Sequence, residues 1–339
     1  MIVGWSTCWL LASNYLVGAT ESWLEWPDGK GPGKPYHVVL LAGDEEYRSE
    51  ESLPMLAKIL HHHHGFRCTV LFPIDPDTGE IDPTNSASLP GSECLESADA
   101  VVMLLRFRSF PAAVMDRLSA AVQRDVPLIA LRTSTHAFKY PADSPLAKYN
   151  QFGKQVLGEN WVSHWGGHKK EATRGVLEAA HAEHPVLRGV RDVFGDTDVY
   201  EAYPPADAKV LLRGEVVAGM DRDDPPASYE KRRASDGQSQ GVNDPMMPIA
   251  WTREFTNAGG GTNRVFCTTM GAATDLLCED LRRLVVNAVY WGLDLEVPAH
   301  AAVELVGPFE ATAYGFGDFR RGLQPADLAD DAATVKKQP

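Results

Sequence analysis

The sequence predicts an α/β fold, a mostly parallel sheet with helices on both faces. Short apolar runs end in Gly or a polar cluster, as buried parallel strands do. These runs alternate with segments of helical periodicity, which implies strand–helix–strand units. The composition, 44% apolar and 23% charged over 339 residues, leaves room for a large core.

The elements follow in order. HVVLLAG (37–43) is a β-branched run ending in Gly, the first buried strand. SEESLPMLAKILHHHHG (49–65) is a helix: Ser49 can cap it, Glu50 and Glu51 suit its first turn, and Leu53, Leu56, Ala57 and Leu60 form its apolar stripe. Gly65 suits its C-terminal cap. The four histidines 61–64 lie in its last turn and are assigned a structural role, since a continuous run cannot face one metal from a helix. RCTVLF (67–72), ADAVVMLL (98–105) and VPLIAL (126–131) are the next strands, and PAAVMDRLSAAVQRD (111–125) is a helix between the last two. In the second half, DVYEAY (198–203), AKVLLRGEV (208–216), MPIAWT (247–252) and NRVFCTTMG (263–271) read as strands. Residues 219–245 read as a long surface loop, and 275–293 as an amphipathic helix opened by Asp275. One enlarged domain over 35–297 and a tail over 298–339, packed on it with a disordered end, complete the organisation.

A net charge of −14 and the lack of any basic run disfavour nucleic acid as a partner. No stretch after the N-terminus is long and apolar enough for an integral membrane segment. Residues 1–22 resemble an export signal with a small-residue cleavage site at Val17-Gly18-Ala19, although the basic leading segment is missing. The expectation is an exported protein, with a cytoplasmic one as the alternative. Cys68, Cys94, Cys267 and Cys278 form no CxxC pair, and Cys68 and Cys267 read as buried thiols.

Ligands of an open parallel sheet bind at the carboxyl edge of its strands. Three successive strand ends are polar here: Asp44, Glu45, Glu46, Tyr47 and Arg48; then Arg106 and Arg108; then Arg132, Thr133, Ser134, Thr135 and His136. Arg132 follows a buried strand directly, so it needs an acidic partner, and Glu45 or Glu46 could supply it. His136 is suited to proton transfer near neutral pH. RTSTH lacks the G-x-S-x-G elbow, which disfavours Ser134 as a nucleophile. NWVSHWGGHKK (160–170) forms a second cluster, in which Trp165 could stack on a sugar ring. His164 and His168 stand four apart, but Gly166-Gly167 argues against a helix between them, so no metal and no cofactor is assigned.

HVVLLAGDEEYRSEESLPMLAKIL, PLIALRTSTHAF, SHWGGH, HPVLRGVRDVFGDTDVYEAY and RVFCTTMGAATDLLCEDLRRLVVNAVYWG together resemble the ThuA-like (trehalose utilisation) family, and most of all its exported planctomycete members. The resemblance implies a flavodoxin-like three-layer sandwich of the class I glutamine amidotransferase-like superfamily. It also implies a link to metabolism of trehalose-like disaccharides through 3-keto sugars. Amidotransferases of that superfamily carry a Cys at the elbow, whereas this chain has Arg132 there, which excludes thiolate chemistry on glutamine. ThuA-like proteins often carry His at that elbow and Gly-His after the late strand, where this chain has Arg132 and Gly271-Ala272. Asp198 stands near a typical acidic position, and Glu201 joins it among the binding candidates.

The resulting expectation is a protein acting on or binding a small carbohydrate. Glu45, Glu46, His136 and His168 are the catalytic candidates. Asp44, Tyr47, Arg48, Arg106, Arg108, Arg132, Thr133, Ser134, Trp165, Asp198 and Glu201 are the binding candidates. The alternatives are a non-catalytic carbohydrate-binding protein on the same fold, and a metal-dependent hydrolase using His136, His164, His168 and Asp198. Homo-oligomerisation is left open.

Overall fold

The structure, a computed structural model, describes residues 21–337. The expected export signal therefore lies, up to residue 20, outside the described residues. Among the described residues fifteen strands and three α-helices follow one another. The first part holds β1 (Glu21–Trp26), β2 (His37–Gly43), α1 (Ser49–His64), β3 (Arg67–Leu71), β4 (Ala100–Leu105), α2 (Ala112–Gln123) and β5 (Leu128–Leu131). Next come β6 (Ser163–His164), β7 (Thr173–Leu177), β8 (Val193–Gly195), β9 (Tyr200–Glu201), β10 (Lys209–Val216), β11 (Glu230–Arg232) and β12 (Ser239–Gly241). The chain closes with β13 (Met247–Thr256), β14 (Thr262–Thr268), α3 (Glu279–Gly292) and β15 (Thr334–Lys337).

Eleven strands form one sheet in the order β15-β1-β3-β2-β4-β5-β14-β13-β10-β7-β8. Its centre, β3-β2-β4-β5-β14, is parallel, and the wings are antiparallel. Central strands alternate between two cores. Val38, Leu40 and Ala42 face one with Leu53 and Leu56 of α1 and Leu284 and Val285 of α3. Val39 and Leu41 face the other with Val114, Met115 and Leu118 of α2. This period-2 division makes the three layers of a flavodoxin-like α/β fold. Gly43 pairs with Leu105, and Leu131 with Thr268, so the strand ends share one edge.

Two local expectations change. Ser49 does not cap α1. Arg48 holds the cap position with φ 61°, and the Ser49 hydroxyl accepts from Gly43 N and Asp44 N, each at 3.0 Å. The late helix breaks at Cys278, because the Asp275 carboxylate turns back to accept from Gly271 N (2.9 Å) and Thr197 Oγ1 (2.7 Å). Residues 334–337 of the tail form β15, which pairs antiparallel with β1. Between these points the tail crosses the site edge: Gly315 N donates to Glu46 O at 2.9 Å. The histidines of α1 are separately engaged, His62 by Asp330 and His64 by Tyr290 and the Ala302 carbonyl.

Candidate active site at the carboxyl edge

At the end of β5 the chain turns sharply. Arg132 has φ 40°, a strained value for a residue with a Cβ, and its N–H donates to Met270 O at 3.0 Å. Gly271, at φ 134°, allows that approach, since a Cβ there would lie 2.9 Å from Leu131 Cβ. The Arg132 side chain is completely buried. Its guanidinium donates to Asp198 O and Thr269 O (both 2.7 Å), to Asp198 Oδ1 (2.9 Å) and to Tyr47 Oη (3.2 Å). It also lies 3.8 Å from the centre of the Tyr200 ring. The expected acidic partner is therefore Asp198 and not Glu45 or Glu46.

Asp198 is the hub of the site. His164 Nδ1 lies 2.8 Å from its Oδ2, and His168 Nδ1 lies 3.1 Å from its Oδ1. Burial alone would raise this carboxyl, but Arg132 and the two imidazoles hold it well below the usual carboxylate range. The geometry comes from a two-residue pairing of β6 with β9, which sets His164 opposite Tyr200. Trp165 N and Gly166 N both donate to Val199 O, at 2.8 and 3.0 Å, so residues 164–168 wrap around 198–200.

Glu46 closes the chain of groups. Its Oε1 is 3.4 Å from His168 Nε2, and its Oε2 is 3.7 Å from Arg106 Nε. Burial and the nearby Asp44 raise the Glu46 carboxyl, against the pull of Arg106, His168 and Arg132. Glu45 instead pairs with both Arg106 and Arg108. His136 sits 4.9 Å from the Phe107 ring and 5.5 Å from Trp161. Burial, then Arg106 and Arg132, push it well below the ordinary histidine value, so it stands neutral.

Several binding candidates are corrected because their side chains are spent inside the protein. Trp165 is 0% exposed and donates from its indole to Val242 O at 2.7 Å, so it has no ring face to offer. Ser134 donates to Met103 O at 2.9 Å, and Thr133 donates to Asp44. Asp44 also accepts from Glu46 N and Tyr47 N, both at 2.7 Å, and so shapes the turn. Arg48 binds the Gly315 carbonyl at 2.9 Å and Arg108 the Pro83 carbonyl at 2.9 Å. Glu201 accepts from Ala234 N, Ser235 N, Ser163 and Tyr203, which pins a surface loop. Tyr47 is buried against Tyr314 at 5.2 Å.

The ring faces that do reach the rim were not singled out in the sequence. Trp161, 37% exposed, lies beside His136 and His164. Phe316, 57% exposed, lies under Arg106 at 4.8 Å. Behind them Tyr314, itself buried, flanks His168 at 5.7 Å. Trp161 belongs to the NWVSHWGGHKK cluster, and Tyr314 and Phe316 to the tail. Phe107, His136, Trp161, His164, His168, Glu46, Arg106 and Phe316 thus border one patch. A separate apolar recess, between Leu118, Val122, Tyr149, Phe152 and Phe255, carries no carboxylate or imidazole.

The ThuA family, described as trehalose utilisation, matches residues 38–292. The chain belongs to the ThuA family. Among solved structures, this ThuA protein is similar to a ThuA-like protein from Parabacteroides merdae ATCC 43184. The two share 15% identity at a TM-score of 0.50, over 84% of this chain and 98% of the other. A ThuA-like protein from Bacteroides uniformis ATCC 8492 is 14% identical, with a TM-score of 0.47 over 78% and 94% of the two chains. No curated protein matches the sequence. No helix among the described residues is long and apolar enough to cross a membrane.

Proposed function

We propose that this ThuA protein acts on a small carbohydrate by acid–base chemistry at the rim. The observation that carries the reading is Glu46: a carboxyl group with a raised pKa, 3.4 Å from His168 Nε2, inside a border of aromatic faces. Such a carboxyl holds a proton at a higher pH than a solvated one and can deliver it to a sugar oxygen. His168, oriented through Nδ1 by Asp198, is placed to exchange that proton. Trp161 and Phe316 offer flat apolar faces to the CH side of a ring, and Arg106 offers donors to its hydroxyl or keto oxygens. Thiolate chemistry has no place here: Arg132 occupies the elbow, and Cys68 and Cys267 are buried with thiols pushed far up by that burial. Export through residues 1–22 is part of the same proposal, and N-terminal sequencing of the mature protein checks it.

The test incubates the full chain with disaccharides and their 3-keto derivatives and follows products by NMR. Wild type should convert at least one, and Glu46→Gln should lose about 10²–10⁴-fold in rate, the usual contribution of a positioned acid or base. A sugar bound but unchanged would move the protein to the binding class. Equal turnover by Glu46→Gln would remove Glu46 from the chemistry.

A further inference from the structure

We infer that His164, His168 and Asp198 form a binding site for one divalent first-row cation of the zinc class. Their donor atoms, one from each side chain, all lie within 4.8 Å of one another. His164 Nδ1 lies 2.8 Å from Asp198 Oδ2 and His168 Nδ1 lies 3.1 Å from Asp198 Oδ1, so each imidazole meets its own oxygen of the one carboxylate. A tetrahedral zinc ion with bonds of about 2.0–2.1 Å keeps its donors about 3.3 Å apart, so donors already within 4.8 Å must draw together to close on an ion. Both imidazoles present the same ring nitrogen, Nδ1, to one carboxylate, with ring centres 4.6 Å apart. That is the convergence a chelate requires. Orienting one proton-transfer histidine would need only one of them.

The backbone between the ligands is built for this. Trp165 is anchored in the core by its indole, and Lys231 Nζ donates to both His164 O (3.0 Å) and Trp165 O (2.6 Å). With Trp165 and Gly166 both bound to Val199 O, the two histidines are carried to the same side of Asp198. Gly166 lets the strands close, since a Cβ there would meet Asp198 Cβ at 3.3 Å. The outer partners also suit a metal. Histidine ligands commonly donate their second nitrogen to a carboxylate, and His168 Nε2 faces Glu46. Arg132 holds one oxygen of Asp198, which fixes the carboxylate while leaving lone pairs for an ion. Two nitrogens and one oxygen, with His164 and His168 partly exposed, give three protein ligands and an open position toward the rim. Zinc in open sites is held by such a set, two histidines and a carboxylate.

Metal binding is read without any substrate, so this inference and the carbohydrate reading fail separately. The full chain, made without a polyhistidine tag and stripped with a chelator, is titrated with ZnCl₂ by calorimetry and with CoCl₂ by visible absorption. One equivalent should bind, and cobalt should give the d–d bands of a tetrahedral nitrogen–oxygen site. His164→Ala and His168→Ala should each weaken binding by more than about 100-fold, because loss of an outer partner alone costs 10–100-fold. A His62→Asn/His63→Asn double variant should bind as wild type, which separates the site from the α1 histidines. Should a variant fail to fold, zinc protection of the wild-type imidazoles from diethylpyrocarbonate, mapped by mass spectrometry, decides. Protection at His164 and His168 supports the site, and protection confined elsewhere overturns it. Absence of stoichiometric binding by wild type, or binding that survives both alanine variants, also overturns it.

Discussion

Replacing Arg132 with Met keeps most of the side-chain volume and removes the charge. The structure says what is lost. Four hydrogen bonds go, two of them to the backbone carbonyls of Asp198 and Thr269, and a fully buried Asp198 loses its cation. Breaking one half of a buried pair costs about 3–5 kcal/mol, because the remaining charge stays desolvated. The hydrogen bonds are not added to this figure, since they are part of the same interaction. In a chain of this size about 2 °C of melting temperature accompanies each kcal/mol, so Arg132→Met should melt about 6–10 °C below wild type at pH 7. The pH dependence gives a second check. Asp198 is depressed in the folded protein, so the stability it contributes is present above the unfolded carboxyl value, about 3.9, and is lost as pH falls through its lower folded value. The gap between wild type and variant should therefore narrow below about pH 4. Circular dichroism melts from pH 7 down to pH 3 measure both effects. A variant that melts with wild type yet fails to bind ligand would refute the buried assignment and put the guanidinium in contact with substrate.

Trp161→Ala should weaken sugar binding with little change in melting temperature, whereas Trp165→Ala should cost about 3–5 kcal/mol of stability; parallel ligand titrations and melts separate them. Glu50, fully buried with neither carboxylate oxygen bonded among the described residues, is raised to about 8 by burial and then by Glu51. A raised carboxyl takes up a proton on folding, so wild-type stability should fall as pH climbs from the unfolded value, about 4.3, toward 8. Glu50→Gln should flatten that slope in melts between pH 5 and 9. Cys68 and Cys267 should react with a thiol reagent only after denaturation, being fully buried with raised thiols; modification of either in the native protein, seen by mass spectrometry, would contradict the packing.

The parallel centre was legible because its strands are buried on both faces and are written as unbroken apolar runs, HVVLLAG and AVVMLL among them. The wings were not. β7, TRGVL, is half-exposed, and β15, TVKK, lies at an edge with no alternation to read. β1 carries three Trp and Leu side chains into the cores, yet it follows directly on the leader-like stretch and was partly absorbed into it. The rim could be foreseen from strand ends, since a parallel sheet gathers them at one edge. Which side chains turn outward could not be foreseen. Trp161 and Trp165 stand four residues apart in one motif, and only the strand pairing of His164 with Tyr200 decides which enters the core.

The same pairing brings together two histidines that no helix joins. Gly166-Gly167 does prevent a helix between them. Two side chains four apart can also meet when the backbone between them wraps a third strand, and Val199 O supplies that pivot. The consequence reaches the chemistry. At the elbow, a strained backbone position is occupied by a guanidinium that points inward and ties β5 to the 198–200 segment and to the residues after β14. A residue so committed cannot also attack a substrate. The groups left to meet a ligand are the partly exposed His164 and His168 and, just beneath them, Glu46, and two of these three come from the wrapped segment 164–168. The elbow therefore acts here as the mount for Asp198. A rearrangement of segment 164–168, which the sheet itself would survive, should abolish any reaction at this edge.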